Sequence, residues 1–365
     1  MRVLLAEPWF GGSHRSWAEG FAAASTHDVS IVGLPPTLWR WRLRAGAAPL
    51  ADKIKEHVEA NRSWPDCLLV SGLVDVAALL GHLRAPAGAL VVTYMHESQL
   101  VYPTVDGRVD ADAVLRNWDS WLASDSVWFN SAYHRSRVEA ALPSWASSQP
   151  EPIPSATVDS VIDRFEVHPV GVTPPRGVRY PPGPVPVLLW PHRWEPDKAP
   201  EVFARAIDKL RSSGIEFELI LAGEDTAASA VRRHIIESHG QSVLAAGPFP
   251  RVEYEELLHR ADVVVSCAEH EFFGIAVVEA MMAGCVPVLP DAHSYPEVVP
   301  EPFRDAVLYQ AGSFGSALQD VMVTLGERRM AIEGLAEACR PLGWESVALG
   351  YDHRLRDLAL GSSGC

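Results

Sequence analysis

The chain has 365 residues, enough for two domains of ordinary size, and its 48% hydrophobic and 21% charged residues describe a globular protein and exclude a largely disordered one. Its formal net charge of -15 repels polyanions, which argues against nonspecific nucleic-acid binding and leaves room only for a local basic patch. No run approaches the ~20 apolar residues of a membrane span, and Cys67, Cys267, Cys285, Cys339 and Cys365 have no paired spacing, so a cytoplasmic protein without disulfides or a zinc site is expected.

From the N-terminus, short apolar runs alternate with amphipathic stretches. The segment beginning Met1-Arg2-Val3 turns polar after Ala6 and is expected to be a core strand, not a signal peptide. Strands are predicted at Val3–Ala6, Val29–Leu34, Cys67–Ser71, Ala89–Tyr94 and Val127–Asn130, with helices at Ser16–Ala24, Asp75–Leu83 and Ala111–Leu122. Pro143–Thr157 reads as a surface loop and Phe165–Val167 as a strand. The proline-dense stretch Pro174–Pro186 reads as a domain linker, since proline stiffens it and denies it helix or sheet.

A second alternating series follows. Its strands are predicted at Val187–Trp190, Phe217–Ala222, Ser242–Ala245, Asp262–Ser266, Val286–Leu289 and Ala306–Tyr309. Its helices are predicted at Pro200–Arg211, Thr226–Ser238, Glu253–Arg260 and Gly274–Ala283, and Trp344–Leu358 is a last amphipathic helix. Repeated strand–helix alternation predicts an α/β fold of two Rossmann-like, doubly wound domains, 1–173 and 174–343, with the helix at 344–360 packing back on the first. Ligands of such sheets bind at the carboxyl ends of strands, which directs attention to the loops there.

The first of those loops, Glu7-Pro8-Trp9-Phe10-Gly11-Gly12-Ser13-His14, carries paired glycines before a helix. Gly11 and Gly12 let backbone approach a ligand closely or make a plain tight turn; both readings stand. The full G-x-G-x-x-G fingerprint is missing, which weakens a dehydrogenase reading. After the fourth strand, His96, Glu97 and Gln99 crowd a loop suited to gripping hydroxyls or shuttling protons. Arg193 and Lys198, in the loop beginning Trp190-Pro191-His192, can converge on a diphosphate, the one as a planar fork and the other as a point charge. Further on, Glu271 and Glu279 flank a Phe273-Gly274 turn that opens a helix and exposes backbone N–H groups to a phosphate or a sugar hydroxyl. Asp262 and Asp291 sit singly and read as caps or surface groups, and no Asp-x-Asp pair suggests a metal. In Trp39-Arg40-Trp41-Arg42-Leu43-Arg44, arginines can meet phosphates while tryptophans stack on splayed bases; an amphipathic turn with core tryptophans fits equally. His134-Arg135-Ser136-Arg137 is a second basic patch.

With these residues in place, the C-terminal half resembles glycosyltransferase family 4, retaining enzymes of the GT-B architecture, in which two Rossmann-like domains face each other across a cleft. The resemblance implies that Arg193 and Lys198 hold a donor diphosphate, that Glu271 contacts the sugar and Glu279 the nucleotide ribose, and that Phe273 and Gly274 contact the donor through backbone. It further implies that Gly11 and Gly12 approach the donor from the facing domain and that His96 touches the transferred sugar. A narrower resemblance covers most of the chain: Phe10-Gly11-Gly12-Ser13-His14, Trp39-x-Trp41-Arg42, Tyr94-x-His96-Glu97-x-Gln99, Trp190-Pro191-His192-Arg193-Trp194-Glu195 and Tyr295-Pro296-Glu297 look like the tRNA-queuosine mannosyltransferases. Pro143–Thr157 and the proline-rich stretch match poorly. The narrower resemblance implies GDP-mannose as donor and queuosine in the anticodon of an aspartate tRNA as acceptor, with no cofactor, no metal and no membrane. Trp39, Arg40, Trp41, Arg42, Arg44, Glu97 and Gln99 would then face the acceptor. A family 4 enzyme acting on a lipid, a polysaccharide or a small metabolite is the alternative.

Overall fold

The computed structural model describes residues 1–86, 88–103, 109–223, 225 and 229–362. Cys365, the tail from 363 and the first three residues of the helix expected from Thr226 lie outside the described residues. The chain divides into two compact units: unit 1 is Met1–Gly171 with the segment from Trp344 onward, and unit 2 is Val172–Gly343.

Unit 1 runs β1 (Arg2–Glu7), α1 (Gly12–Ala24), β2 (Asp28–Gly33), α2 (Trp39–Ala45), α3 (Ala47–Asn61), β3 (Cys67–Ser71), α4 (Val76–Leu83), β4 (Leu90–Met95), α5 (Ala111–Leu122), β5 (Ser126–Phe129), α6 (Ala132–Ser147), α7 (Ser155–Ile162) and β6 (Phe165–Val167). The strands form one parallel sheet in the order β2-β1-β3-β4-β5-β6. Their side chains alternate between faces. Leu4, Ala6, Leu68 and Val70 pack with Leu50, Ile54 and Leu79 of α3 and α4, while Val127, Phe129 and Phe165 pack with Trp118, Trp121 and Leu142 of α5 and α6. Helix starts are set by short oxygen-bearing side chains: Asp75, Asp110 and Ser131 accept backbone N–H groups of α4, α5 and α6.

Unit 2 runs β7 (Val187–Trp190), α8 (Pro200–Ser212), β8 (Glu218–Leu221), α9 (Ala230–His239), β9 (Val243–Ala246), α10 (Arg251–Arg260), β10 (Val263–Val265), α11 (Ile275–Met282), β11 (Val286–Pro290), α12 (Tyr295–Val298), α13 (Arg304–Val307), β12 (Leu308–Tyr309), α14 (Phe314–Val323), α15 (Leu325–Ala331) and α16 (Leu335–Ala338). Its parallel sheet has the order β12-β11-β10-β7-β8-β9. The central strands read as continuous apolar runs because helices cover both of their faces. After unit 2 the chain returns to unit 1 as α17 (Trp344–Ser362), which packs on α1. Trp344 and Tyr351 are buried there, the Tyr351 hydroxyl donates to Pro169 O at 2.9 Å, and Arg354 grips Glu166 with two bonds of 2.7 Å. Burial of each apolar side chain of this size stabilises by about 1.5–3 kcal/mol.

Four expectations are corrected. Pro143 does not break the chain into a loop: α6 continues to Ser147, because Val138, Leu142 and Ala146 keep one face of the helix buried and offset the ~3 kcal/mol cost of an interior proline. Ala306 and Val307, expected to begin a strand, close the helix Arg304–Val307 instead, and the strand after them is two residues long. Asp262 is not a surface group. It is buried, receives Val187 N–H at 3.0 Å and holds Arg179 and Arg329 at 3.3 and 2.6 Å. The patch around His134 is not one surface either, since His134 is buried against Asn130 and Arg135 pairs with Glu139. The proline-dense stretch has no helix or strand, and Tyr180, Arg176 and Arg179 tie it to His259 and Asp262 of unit 2.

Candidate functional site

In a doubly wound sheet the crevice lies outside the carboxyl ends of the two strands between which the order reverses. In unit 2 those strands are β7 and β10. The loop leaving β7 carries Lys198 and the loop leaving β10 carries Glu271, and the two side chains meet: Lys198 Nζ lies 3.1 Å from Glu271 Oε2, 3.2 Å from Asp197 Oδ2, and donates to His270 O at 2.8 Å. Both loops are clamped further by Glu269 N–H donating to Asp197 O. Gly223 allows the close approach of the neighbouring loop, since a Cβ there would stand 1.5 Å from His192 O.

Burial disfavours charge on this ammonium, yet Glu271 and Asp197 more than offset it and hold the Lys198 pKa above its usual range. Burial likewise pushes Glu271 up, but Lys198, His192 and the Phe273 N–H overcome it and hold the carboxyl at about 2. His192 and His270, desolvated beside the same Lys198 charge, are pushed down to about 4 and are neutral imidazoles at pH 7. The buried His192 Nε2 has no hydrogen-bond partner. The arrangement is therefore a fixed cation, a fixed anion and neutral imidazoles at the mouth of the sheet.

Arg193 is half exposed and lies 3.3 Å from Glu195. Glu279, one and a half turns into α11, is buried and paired with Arg251, which also holds Glu255 at 2.7 Å and donates to Thr173 O. Burial raises the Glu279 pKa, and Arg251 opposes that rise. Gly274 precedes α11 at φ +91, a left-handed conformation open to glycine, and a Cβ there would press on Tyr295 at 3.3 Å. Phe272 and Phe273 are both buried, and Phe273 N–H points to Glu271 Oε1 at 3.3 Å.

In unit 1 the order reverses between β1 and β3. Glu7, the last residue of β1, is fully buried; its Oε1 accepts Trp9 N–H at 2.9 Å and its Oε2 lies 3.1 Å from His14 Nδ1 and 4.0 Å from His96 Nε2. The His14 and His96 rings lie with centroids 4.0 Å apart and planes tilted by 39°. Burial, with His14 and His134 adding to it, pushes His96 well below the ordinary imidazole pKa. Gly12 opens α1 at φ +49, and Gly11 lies against Pro36, where a Cβ would come within 2.4 Å. Gln99 donates to Glu97 Oε1 at 3.1 Å, and its own N–H is taken by Asn117.

The basic segment forms α2, and its tryptophans are not core. Trp41 is 61% exposed and Trp39 half-buried under the Arg40 guanidinium at 4.8 Å from the ring centre. With Leu38 and Arg44 they line a surface depression of 410 Å³. Arg44 is committed to Asp110 and Asp112 at 2.6 and 2.7 Å, and Arg42 reaches Pro35 O and Thr37. Arg40 and Trp41 are thus the accessible part of the patch.

Sequence reasoning did not single out Glu7, His14, His192, Asp197, His270 or Arg251. For Glu7 a signal exists: alternation along Val3, Leu5 and Glu7 places a carboxylate on a buried face of an apolar strand. Arg251 carries no such signal, because only the fold brings it to Glu279.

Comparison with known proteins agrees with this architecture. Residues 2–172 match the model of the tRNA-queuosine alpha-mannosyltransferase N-terminal domain, and residues 179–319 match glycosyl transferases group 1. The tRNA-queuosine alpha-mannosyltransferase of Drosophila melanogaster is 30% identical over 318 residues, covering 82% of each chain. A GDP-mannose:cellobiosyl-diphosphopolyprenol alpha-mannosyltransferase of Xanthomonas oryzae pv. oryzae is 32% identical over 107 residues, 28% of each chain. Among solved structures, sucrose-phosphate synthase from Thermosynechococcus elongatus superposes with TM-score 0.73 at 16% identity, over 99% of this chain and 100% of that one. The catalytic domain of starch synthase IV from Arabidopsis thaliana, bound to ADP and acarbose, also gives 0.73, at 13% identity and over 98% and 99% of the chains. These two likenesses concern the fold, and they agree with a glycosyltransferase architecture of two parallel sheets.

Proposed function

The chain belongs to the tRNA-queuosine alpha-mannosyltransferase family of glycosyltransferases, and on that premise we propose that it moves mannose from GDP-mannose, with retention, to queuosine in the anticodon of tRNA(Asp). The observation that carries the donor half of this reading is the buried Lys198–Glu271 pair at the reversal point of unit 2. Breaking the anomeric C–O bond puts negative charge on the departing diphosphate and positive charge on the sugar ring. A cation whose charge is held on by its neighbours stabilises the former without reorganising, and such preorganised electrostatics often supply the largest rate term.

In this reading Arg193 and Lys198 bind the diphosphate, and the N–H groups of Phe273 and Gly274 face it from the start of α11. Glu271 accepts sugar hydroxyls and Glu279 the ribose; Gly11, Gly12 and His96 contribute from unit 1. The departing phosphate takes the acceptor proton, so no protein nucleophile is needed. Glu97, Gln99 and the α2 segment Trp39, Arg40, Trp41, Arg42 and Arg44 face the tRNA. No helix among the described residues is long and apolar enough to cross a membrane. The cytoplasm as compartment is supported by four buried, unpaired cysteines, Cys67, Cys267, Cys285 and Cys339.

Incubation with labelled GDP-mannose and queuosine-containing tRNA tests the reading. Label in tRNA from wild type, and none from Lys198→Ala, is expected. Transfer to a lipid, a polysaccharide or a small metabolite, with unlabelled tRNA, would move the chain to another acceptor and end the tRNA assignment.

A further inference from the structure

We propose that the carboxyl ends of β1, β3 and β4 in unit 1 form a hydroxyl-binding pocket in which Glu7, His14, Ser71 and His96 take a pair of adjacent hydroxyls from a substrate of the transfer reaction. The proposal rests on the glycosyl-transfer reading above, which already assigns His96, and it adds Glu7, His14 and Ser71, to which that reading gives no role.

Strand alternation puts the groups together. Leu4, Ala6, Leu68 and Val70 face α3 and α4, so Glu7 and Ser71, each one residue further on, face the other way. Ala6 pairs with Val70 in register, and Ser71 pairs with Tyr94, so Glu7, Ser71 and Tyr94 follow one another across that face at the strand ends. His96 lies just beyond, its ring 4.8 Å from that of Tyr94.

Two polar atoms here are buried without a hydrogen-bond partner, Ser71 Oγ, in a residue with no exposure, and His96 Nε2, in a side chain 10% exposed. Such orphans are rare in native proteins and call for a partner that arrives from outside the chain. Their neighbours define what that partner is. Glu7 uses one oxygen on Trp9 N–H and the other on His14 Nδ1. His14 holds the Glu7 carboxylate in place through that contact. The pocket therefore offers an acceptor at Glu7 and at Ser71 a group that accepts or donates, while His96 Nε2 takes either role by tautomer. That set suits hydroxyls, which are donors and acceptors at once. It suits neither a phosphate, which the Glu7 charge repels, nor an apolar group.

A metal ion fits less well. The three ligand atoms of Glu7, His14 and His96 lie within 4.8 Å of one another, with Glu7 to His96 at 4.0 Å. Ligands of a tetrahedral zinc stand about 3.4 Å apart, at bond lengths near 2.1 Å.

The hydroxyls can come from the acceptor nucleoside or from the sugar being transferred, and Glu7→Gln and Ser71→Ala tell the two apart. Gln offers one acceptor oxygen where Glu7 uses two, so its NH₂ faces either Trp9 N–H or His14, and in the second case turns His14 to the other tautomer. Wild type and both variants would be assayed for KM of queuosine-containing tRNA in transfer, for KM of GDP-mannose in hydrolysis without acceptor, for Tm and for bound zinc. We expect one KM to rise about tenfold in each variant, the effect of losing one hydrogen bond to a buried partner. A rise for tRNA alone identifies acceptor hydroxyls, and a rise for GDP-mannose alone identifies the sugar. We also expect Ser71→Ala to keep or raise Tm, since the removed hydroxyl has no partner in the chain. Both KM values unchanged in Ser71→Ala would overturn the pocket, even if Glu7→Gln failed to fold. A lowered Tm in Ser71→Ala with unchanged KM values would overturn it in favour of a buried structural water. One equivalent of zinc in wild type, lost in Glu7→Gln, would overturn it in favour of a metal site. Wild type that hydrolyses GDP-mannose but never labels tRNA would overturn the acceptor reading instead, and the GDP-mannose arm would still decide the pocket.

Discussion

Lys198 Nζ and Glu271 Oε2 stand 3.1 Å apart, on the loops that leave the two strands between which the sheet of unit 2 reverses. Each side chain is the counter-charge that allows the other to be buried. That mutual dependence makes the pair a structural element as well as a candidate for chemistry, and the two roles separate on mutation.

Lys198→Met should leave Glu271 and Asp197 without their cation and cost about 3–5 kcal/mol of stability, the range for removing one partner of a buried pair. The double variant Lys198→Met/Glu271→Gln should recover most of that loss while donor turnover stays abolished. Urea unfolding alongside GDP-mannose hydrolysis checks both. A single variant within ~0.5 kcal/mol of wild type would show that the pair is not buried as described.

Acid should expose the same pair. The folded Glu271 carboxyl is held at about 2 against an ordinary 4.5, so its contribution is fully present above about pH 4.5 and is lost as pH falls towards 2. The contribution is on the order of 3 kcal/mol. Unfolding free energies of wild type and Glu271→Gln, measured from pH 7 down to 3, should differ by a constant above about pH 5.5 and converge below it. Parallel curves over the whole range would refute the assignment.

Arg251→Met should make donor binding depend on pH. Burial already raises the Glu279 pKa, and Arg251 opposes that rise. Without the guanidinium the carboxyl moves further up, so protonation competes more strongly with the ribose contact proposed for it. GDP-mannose KM should increase by roughly tenfold, as for a lost charged hydrogen bond, and fall back as pH is raised. A KM that is high but flat with pH would mean that Arg251 acts only on packing.

Gly20→Ala should destabilise, although alanine in a helix interior ordinarily gains up to ~1 kcal/mol over glycine. A Cβ at position 20 would stand 2.0 Å from Trp344 Nε1, and one at position 171 would stand 2.2 Å from the same indole. Trp344 is the first residue of α17, so displacing it loosens the return of the chain to unit 1. A loss of about 1–3 kcal/mol is expected for either alanine, as for other overpacked cores. Thermal melts decide it, and a Tm above wild type would contradict the packing.

Trp41→Ala should leave stability within ~0.5 kcal/mol, because the side chain is 61% exposed. It should raise the KM for tRNA by about tenfold, the lower part of the range for one lost base stack, and leave donor hydrolysis alone. Arg44→Ala should affect tRNA less, since Asp110 and Asp112 already neutralise it. Equal tRNA KM for Trp41→Ala and wild type would remove α2 from the acceptor surface.

Much of the fold was legible from the sequence. The apolar runs at 67–71 and 187–190 and the helix at 111–122 match the observed elements to the residue, since hydrophobic periodicity is a local property and short parallel strands are apolar on both faces. The loops bearing His96, Lys198 and Glu271 were legible for the same reason, as polar clusters at the ends of apolar strands. Local signals failed where distant burial overruled them: Pro143 stays inside α6 because Leu142 and Ala146 are pulled into the core. What tertiary structure alone decided is the pairing. Lys198 meets Glu271 across 73 positions, Arg251 meets Glu279 across 28, and Glu7 comes within 4.0 Å of His96 although three strands and four helices lie between them in the chain. A charge becomes costly, and its pKa moves, only when folding strips away its water and chooses its neighbour. Residue identity carries the charge; the neighbour is a property of the packed sheet.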